Sequence, residues 1–197
     1  MRGIAIMGLN GCGKSTLAHA LAQRLGLYEL DVEDYYFPEQ RLARRAALEG
    51  RPETCCERSG SLPYARPRDR REVQERIAAD IERHPRFVIC GVTMNWDARI
   101  LSAIDVAFIL EVPAEERVRR VSQREQLRFG ARVMPGGDMY EQQRAFRELI
   151  ARKSHRLVEE SAARMPCRRV RLDGARRVDE NVGIILGTLA AIGELSN

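Results

Sequence analysis

The chain has 197 residues, of which 44% are hydrophobic, and carries a formal net charge of +5. This length suits one compact domain with a sheet covered by helices on both faces, and a second domain is not expected. No apolar run approaches the roughly 20 residues that span a bilayer, and a strand pattern starts within a few residues of Met1. We therefore expect no membrane association, no signal peptide and a cytoplasmic location.

The charge and the cysteines argue against two further classes of protein. Only Lys14 and Lys153 are lysines among the 33 basic residues, and the arginines are spread over almost the whole chain. Spread charge is typical of a solvated surface with local anion sites, so nucleic acid is not an expected partner. The five cysteines are odd in number and lack C-x-x-C spacing, which predicts neither a disulfide framework nor a zinc site.

The first predicted element is a strand at about residues 2 to 7, followed at once by the motif G-x-x-x-x-G-K-[ST] and then by a helix pattern that ends at Gly26. Backbone N–H groups of such a loop surround phosphates, its lysine bridges the β and γ phosphates, and its hydroxyl ligates Mg²⁺. The helix presents its positive end to the same phosphates. The motif therefore predicts a nucleoside triphosphate site for ATP and Mg²⁺, built from Gly8, Asn10, Gly11, Cys12, Gly13, Lys14, Ser15 and Thr16.

Three acids, Asp31, Glu33 and Asp34, follow the second predicted strand, which covers about residues 27 to 31. The carboxyl end of a strand is the edge where open α/β sheets bind ligands. Carboxylates there can hold Mg²⁺ through water, orient an acceptor hydroxyl, or take its proton during phosphoryl transfer. On a strand, Asp31 and Glu33 share one face while Asp34 points elsewhere. The alternative is that these acids only cap the next turn.

Residues 38–68 contain repeated prolines and glycines with little apolar periodicity. This composition predicts an irregular, partly mobile insertion that can cover a substrate. A helix near 69–83 follows, and the next strands are predicted at about 86 to 92 and 104 to 111. The core face of that helix carries Val73, Ile77 and Ile81.

An arginine-rich helix is predicted near 114–128, with Val118 and Val121 toward the core. One cationic stripe is formed by Arg117, Arg120, Arg124 and Arg128. Arginine planes suit phosphate oxygens, and the glycine-rich stretch after the helix is typical of a hinge. Alone, such a stripe is equally explained as a solvated surface. Beside a phosphate-binding loop it favours a lid over residues 117–139.

The last third of the chain continues the alternation of helices and strands. Beyond Tyr140 one long helix is predicted to bury Phe146, Leu149, Ile150 and Leu157. A fifth strand is predicted at about residues 167 to 172, then a helix near 178–194 in which Gly183 and Gly187 permit close packing. Five strands separated by helices predict an α/β fold with a doubly wound, five-stranded parallel sheet.

Over nearly its whole length the chain resembles the small-molecule kinases of the P-loop superfamily, which include nucleoside monophosphate, shikimate, gluconate and uridine kinases. In that family the stretch that matches Ala103–Pro113 is the fourth strand, the arginine stripe is the lid, and the stretch that matches Val170–Gly174 leads to a loop beside the adenine. Arg128–Tyr140 is similar to uncharacterised adenylate-kinase-like ATPases of bacteria. The resemblance implies a P-loop NTPase fold in a single domain over residues 1–197.

The resemblance also implies roles for individual residues. Asp31 and Glu33 match the acids that hold the metal and engage the acceptor hydroxyl in shikimate-type kinases, and Asp173 is placed in the loop beside the adenine. Cys90 stands where nucleotide kinases often carry an acid, so a metal ligand is not predicted from that strand. The lid arginine is best matched by Arg124, with Arg120, Arg128 and Arg132 as neighbours.

The acceptor pocket is expected between the acids after strand two, the insertion and the loop after strand three. Its candidate contacts are Tyr35, Tyr64, Arg66, Asn95, Trp96 and Asp97. Tyr64 and Arg66 either stack on and pair with the acceptor or pack the insertion. A nucleoside or nucleoside monophosphate acceptor is favoured over a sugar acid or a shikimate-like acid.

The sequence thus predicts a kinase that moves the γ-phosphoryl group of ATP to a small-molecule acceptor. The alternative is a nucleotide-dependent ATPase switch or partner-binding module, and an oligomeric state is not predicted. A regulatory GTPase is disfavoured because no Asn-Lys-x-Asp signature occurs. The predicted catalytic residues are Lys14, Asp31, Glu33, Asp34, Arg120, Arg124 and Arg128, and the predicted metal ligands are Ser15 and Asp31.

Overall fold

The computed structural model describes residues 1–50, 64 and 66–193. Five strands form a parallel sheet in the order β2-β3-β1-β4-β5, which confirms the predicted α/β fold. The strands are β1 (Gly3–Gly8), β2 (Tyr28–Asp31), β3 (Phe87–Gly91), β4 (Val106–Glu111) and β5 (Arg168–Asp173). Each bound lies within two residues of its predicted position.

Helices connect successive strands of the sheet. They are α1 (Lys14–Leu25), α2 (Val32–Tyr36), α3 (Arg41–Leu48), α4 (Arg70–Arg83), α5 (Ala98–Leu101), α6 (Ala114–Phe129), α7 (Tyr140–Arg152), α8 (Arg156–Ala163) and α9 (Val178–Ala191). Short 3₁₀ turns precede α3 and follow α6. Within the described residues, no helix combines the length and apolar character needed to cross a bilayer.

The central strands are continuously apolar because helices cover both faces of the sheet. Ile6 of β1 lies opposite Cys90 of β3 and Phe108 of β4, and all three side chains are buried. Since the strands are parallel, their carboxyl ends meet at one edge. The loop after β1, the acids after β2 and the segment after β3 therefore converge there.

Two helical predictions differ from the structure in the second half of the chain. The long helix after Tyr140 is broken into α7 and α8, and Leu149 and Leu157 of its predicted core stripe are 51% and 43% exposed. At the break, the carbonyl of Lys153 accepts a hydrogen bond from a buried arginine described below. A Cβ at Gly183 or Gly187 would meet nothing within 4 Å, so the predicted close packing is wrong.

The described part of the insertion at 38–68 is more regular than predicted. Residues 41–48 form α3, whose sequence RLARRAAL consists of good helix formers. Residues 51–63 and 65, on which part of this prediction falls, lie outside the described residues.

Candidate active site

The glycine-rich loop at residues 8–15, the P-loop, depends on glycine at two positions. Gly13 caps the amino end of α1 with a φ of 91°, which side chains rarely adopt. A Cβ at Gly11 would lie 2.5 Å from the carbonyl oxygen of Arg117, so the backbone of α6 leaves no room for one. Gly8, predicted to bind nucleotide, instead packs against Leu110 of β4 and lines neither of the clefts described next.

Two clefts border the P-loop. The larger, about 570 Å³ and here called the β2-side cleft, is bounded by the loop, the residues after β2, α3 and the segment after β3. The smaller, about 410 Å³ and called the β5-side cleft, is bounded by the loop, α6 and the turn after β5. Both volumes suit small ligands. Four residues line both clefts: Gly11, Gly13, Thr16 and Arg124.

Lys14 and Ser15, at the amino end of α1, both line the β2-side cleft. Lys14 donates from Nζ to the carbonyl oxygen of Leu9 at 3.1 Å. This contact folds the side chain across its own loop. The positive end of α1, the Lys14 ammonium and the Ser15 hydroxyl thus lie together, as binding of a phosphate chain requires.

Asp31 ends β2 and begins α2. Its carboxylate accepts a hydrogen bond from the backbone N–H of Glu33 at 2.9 Å, which is an N-cap contact. Glu33 and Asp34 therefore belong to the first turn of α2. The prediction that Asp31 and Glu33 share a strand face is wrong, and Asp31 does cap the next turn, although its other carboxylate oxygen has a further contact.

Arg44 of α3 nevertheless contacts all three acids. Its Nη2 contacts Asp31 and lies 3.5 Å from Oγ of Ser15, its Nη1 lies 2.8 Å from Glu33, and its Nε lies 3.4 Å from Asp34. Asp34, expected to point elsewhere, thus faces the same guanidinium as its neighbours. The Arg44 side chain is 11% exposed, so this cluster is largely shielded from water.

Burial changes the proton affinities in this cluster. It raises the pKa of Asp34 to about 6, with Asp31 and Glu33 adding to the rise and Arg44 opposing it. Burial disfavours the charged form of Arg44, but the three carboxylates outweigh that effect and raise its pKa. The guanidinium is therefore firmly charged, while Asp34 binds its proton unusually tightly for a carboxylate.

Ser15 and Asp31 offer a hydroxyl and a carboxylate, which are oxygen donors that suit Mg²⁺. Both touch Nη2 of Arg44, so the point between them already accommodates positive charge. The donor set fits an Mg²⁺ ion that nucleotide phosphates help to hold. Among the described residues, no group of three or more His, Cys, Asp or Glu side chains is arranged to hold a metal.

Cys90 lies beside this point at the end of β3. Its thiol donates toward Oγ of Ser15 over 4.0 Å. Burial, reinforced by the charge of Asp31, holds the pKa of the Cys90 thiol well above its ordinary value. The residue that replaces the acid of nucleotide kinases is thus a neutral neighbour of Ser15.

Arg117 does not belong to the cationic surface that its spacing predicted. Its side chain is 1% exposed and donates to the carbonyl oxygens of Val112 at 3.2 Å, Ile150 at 3.1 Å and Lys153 at 3.5 Å. Carbonyl groups at the carboxyl end of a helix favour a cation. Arg117 therefore ties the start of α6 to the end of α7.

Arg120 and Arg124 lie between the P-loop and the turn after β5, where both line the β5-side cleft. Arg120 donates to Glu116 at 2.7 Å and to the carbonyl oxygen of Gly174 at 2.9 Å. Arg124 pairs with Glu125, is 51% exposed and lines both clefts. Arg124 is thus placed to reach a ligand in either one.

Arg128, at the far end of α6, contacts the insertion. It donates to the hydroxyl of Tyr64 and, at 3.0 Å, to Oε1 of Gln40, and its guanidinium lies 5.6 Å from the Tyr64 ring centroid. Arg128 and Tyr64 line the β2-side cleft. Arg132 instead pairs with Asp138 at 2.7 Å and lines neither cleft.

The predicted acceptor contacts divide into two groups. Those that line the β2-side cleft are Tyr64, Asn95 and Trp96. Tyr35 donates to Asp80 at 2.5 Å and faces away, Asp97 caps α5, and Arg66 is exposed, so these three do not line it. Cleft residues that the sequence analysis missed include Tyr36, Arg44, Arg70 and Thr93.

Asp173, predicted to lie beside the adenine, turns toward its own loop. Its carboxylate accepts from the backbone N–H of Ala175 at 2.9 Å and does not line the β5-side cleft. The neighbouring turn does line it, through Gly174, Arg176 and Arg177, as does Asn181 of α9. The loop after β5 thus borders a cleft beside the P-loop, whereas Asp173 itself shapes the turn, and its placement beside the adenine stays a prediction.

Comparison with solved structures shows which class shares this fold. The chain is similar to a gluconokinase from Sinorhizobium meliloti 1021, with 18% identity, 98% of this chain and 94% of that chain covered, and a TM-score of 0.50. It is similar to a sugar kinase from Janibacter sp. HTCC2649, with 16% identity, coverage of 96% and 95%, and a TM-score of 0.50. The protein has the fold of the P-loop small-molecule kinases.

Comparison of sequences adds a relative without a described activity. The chain is 26% identical over 198 residues to the uncharacterized protein YqaC of Bacillus subtilis (strain 168), with 96% of this chain and 98% of that protein covered. No protein-family model matches the chain.

Proposed function

We propose that the protein transfers the γ-phosphoryl group of ATP, in the presence of Mg²⁺, to a hydroxyl group of a small acceptor. The observation that carries the proposal is that Arg44 contacts both Ser15 of the P-loop and Asp31 after β2. One guanidinium thus bridges the hydroxyl of Ser15 and the carboxylate of Asp31, and both residues line the β2-side cleft. The kinase fold of the structural neighbours supports the same reaction class.

In this proposal, the phosphates bind at the amino end of α1 and Lys14, and the nucleoside end occupies the β5-side cleft. Ser15 and Asp31 hold Mg²⁺, which when bound neutralises charge on the phosphate oxygens. Arg120 and Arg124 border the path between the two clefts and stabilise charge that develops during transfer. Residues 117–139 act as a lid through Arg124 and Arg128.

In the transfer step, the acceptor hydroxyl oxygen forms a bond to the γ-phosphorus. The bond from that phosphorus to the β,γ-bridging oxygen breaks, and ADP leaves with the electron pair. The hydroxyl proton passes to one of the carboxylates after β2: Asp31, Glu33 or Asp34. Asp31 and Glu33 line the β2-side cleft and so lie where the acceptor would bind, whereas Asp34 does not line it.

The acceptor class that we propose is a nucleoside or nucleoside monophosphate. Tyr36, Tyr64 and Trp96 line the β2-side cleft and offer rings for stacking. Nε1 of Trp96 and Oδ1 of Asn95 are buried and have no hydrogen-bond partner among the described residues. This adjacent donor and acceptor suit the edge of a planar base, and Arg70 at the same cleft suits an anionic group.

A second candidate is a nucleotide-dependent ATPase that acts on a partner protein. Leu42 of α3 and Leu127 of α6 are 84% and 89% exposed and lie on the helices that supply Arg44 and Arg128. In this candidate function, these two leucines would contact the partner protein.

The test is Mg-ATP turnover by the purified protein, alone and with nucleosides, nucleoside monophosphates, sugar acids and other hydroxylated metabolites. One acceptor should raise ADP release well above background and yield a phosphorylated product of matching mass. ATP binding without acceptor-stimulated release across the panel would instead favour the partner-directed ATPase.

A further inference from the structure

The two lysines of this arginine-rich chain meet at the P-loop. Lys14 and Lys153 are the only lysines among 33 basic residues. Lys153 lies just after α7, 143 positions from Asn10, and its Nζ donates to the Asn10 side-chain oxygen at 3.2 Å. Asn10 is a P-loop residue that lines the β2-side cleft. A second ammonium is therefore present at the rim of the phosphate site.

A buried structure holds Lys153 in this position. Arg117 donates to the Lys153 carbonyl and to that of Ile150, while its own backbone lies against Gly11 of the P-loop. The start of α6 is thus wedged between the P-loop and the segment that carries Lys153. Because Arg117 is fully buried, this arrangement is a fixed part of the fold rather than a surface contact.

The charges around Lys153 favour an anion beside it. Burial, followed by the like charges of Lys14 and Arg117, lowers the pKa of Lys153, and Glu33 opposes the effect. Cations that repel one another at a phosphate-binding loop are stabilised when a polyanion binds.

We propose that Lys153 is a second phosphate-binding lysine, whose ammonium leaves Asn10 and contacts the γ-phosphoryl group of the bound nucleotide. The proposal rests on the proposed function only in placing ATP at the P-loop. Lys14 and Lys153 then approach the transferring group from two segments of the chain, and the negative charge at the γ position is neutralised from both.

The test compares nucleotides with and without a γ-phosphate in direct binding. Affinities for Mg²⁺ complexes of ATP's β,γ-imido analogue and of ADP are measured by calorimetry on the wild type, Lys153→Met and Lys153→Arg. Lys153→Met should weaken the analogue about tenfold or more and ADP less than about twofold, since one charged hydrogen bond to the γ-phosphate is lost. Lys153→Arg should restore most of the analogue's affinity.

Arg152→Met, which changes the exposed neighbour, is the matched control and should leave both affinities near the wild-type values. If Lys153→Met weakens the binding of both nucleotides equally, Lys153 only braces Asn10. If it weakens the binding of neither, Lys153 contacts no phosphate. Either outcome overturns the proposal. Retained ADP binding shows that the variant is folded. Failure of the wild type to bind either nucleotide would instead refute the proposed function itself.

Discussion

Nη2 of Arg44 lies 3.5 Å from Oγ of Ser15 and at the same time contacts the carboxylate of Asp31. One guanidinium nitrogen therefore occupies the point where the two proposed magnesium ligands meet. A metal ion at that point and the present position of Arg44 exclude each other. In the proposed Mg²⁺ complex, the Arg44 side chain would therefore move away from the acids after β2.

Arg44→Met should destabilise the protein in metal-free buffer, because three clustered carboxylates lose their shared cation. We expect a loss of about 2 to 4 kcal/mol at pH 7.5, and partial recovery when millimolar Mg²⁺ supplies replacement charge. Thermal and urea unfolding with and without Mg²⁺ measure both effects. Arg45→Met is the control, since Arg45 is 53% exposed and pairs with Glu49 across one helical turn; an equal loss in both variants would contradict the role of Arg44.

Lys14→Ala should abolish turnover and greatly weaken ATP binding, because the ammonium that bridges the phosphates is lost. Stability should change by less than about 1 kcal/mol, since Lys14 contributes one hydrogen bond, to Leu9. Calorimetric ATP titration and urea unfolding separate these effects. Full activity of the variant would show that the P-loop is not the working site.

Arg124 and Arg117 lie on the same helix and should respond oppositely to the same substitution. Arg124→Met should lower kcat by about 100-fold, because a charge contact in the transition state is worth about 2 to 4 kcal/mol. The variant should fold with a modest loss of stability, because Arg124 is half exposed but its removal takes this cation from the buried Glu125. The measurements are acceptor-stimulated kcat and the urea midpoint.

Arg117→Met should instead unfold the protein at moderate temperature. It removes a fully buried guanidinium and leaves three backbone carbonyls without their donor. A stable Arg117→Met variant with normal nucleotide binding would show that the link between α6 and α7 is dispensable.

Asp34 should make stability depend on pH. Its pKa rises from 3.8 to about 6 on folding, so folded protein binds the proton more tightly than unfolded protein. The stabilisation that this proton provides is complete below the unfolded-state pKa of 3.8 and is lost as pH rises through 6, a change of about 3 kcal/mol. Urea unfolding of the wild type and Asp34→Asn, from pH 4 to 7.5 in chelator, should show the wild type losing stability relative to the variant as pH rises, because the amide of the variant stays neutral. A difference that does not change with pH would contradict this origin.

The sheet and the P-loop could be predicted from sequence because both are local patterns. Continuous apolar runs such as Ile4–Met7 and Phe87–Cys90 mark strands that are buried on both faces, and the spacing of Gly13, Lys14 and Ser15 determines the loop chemistry. The position of Asp31 at the site followed from the rule for sheet edges.

The contacts of Arg44 and Arg117 could not be predicted in this way. Arg44 reaches the acids because it lies on α3. That short helix lies in a segment whose prolines and glycines predict irregular structure, so the sequence pattern does not indicate it. Arg117 has the same spacing as Arg124, yet one is buried and the other half exposed. Helical periodicity assigns a face but not how deeply each turn is covered, and that depends on α7 packing against α6.

The amino-terminal part of helix α6 is held in the fold by the buried Arg117. The buried Arg117 lies beside Gly11, and Arg128, 11 residues further along the helix and about 16 Å away, contacts Tyr64 of the insertion. Because the Arg117 end is embedded in the fold, a tilt of the helix about that end would displace Arg128 the most. In the proposed function, nucleotide binding beside Gly11 would thereby be coupled to the position of Arg128 at the β2-side cleft.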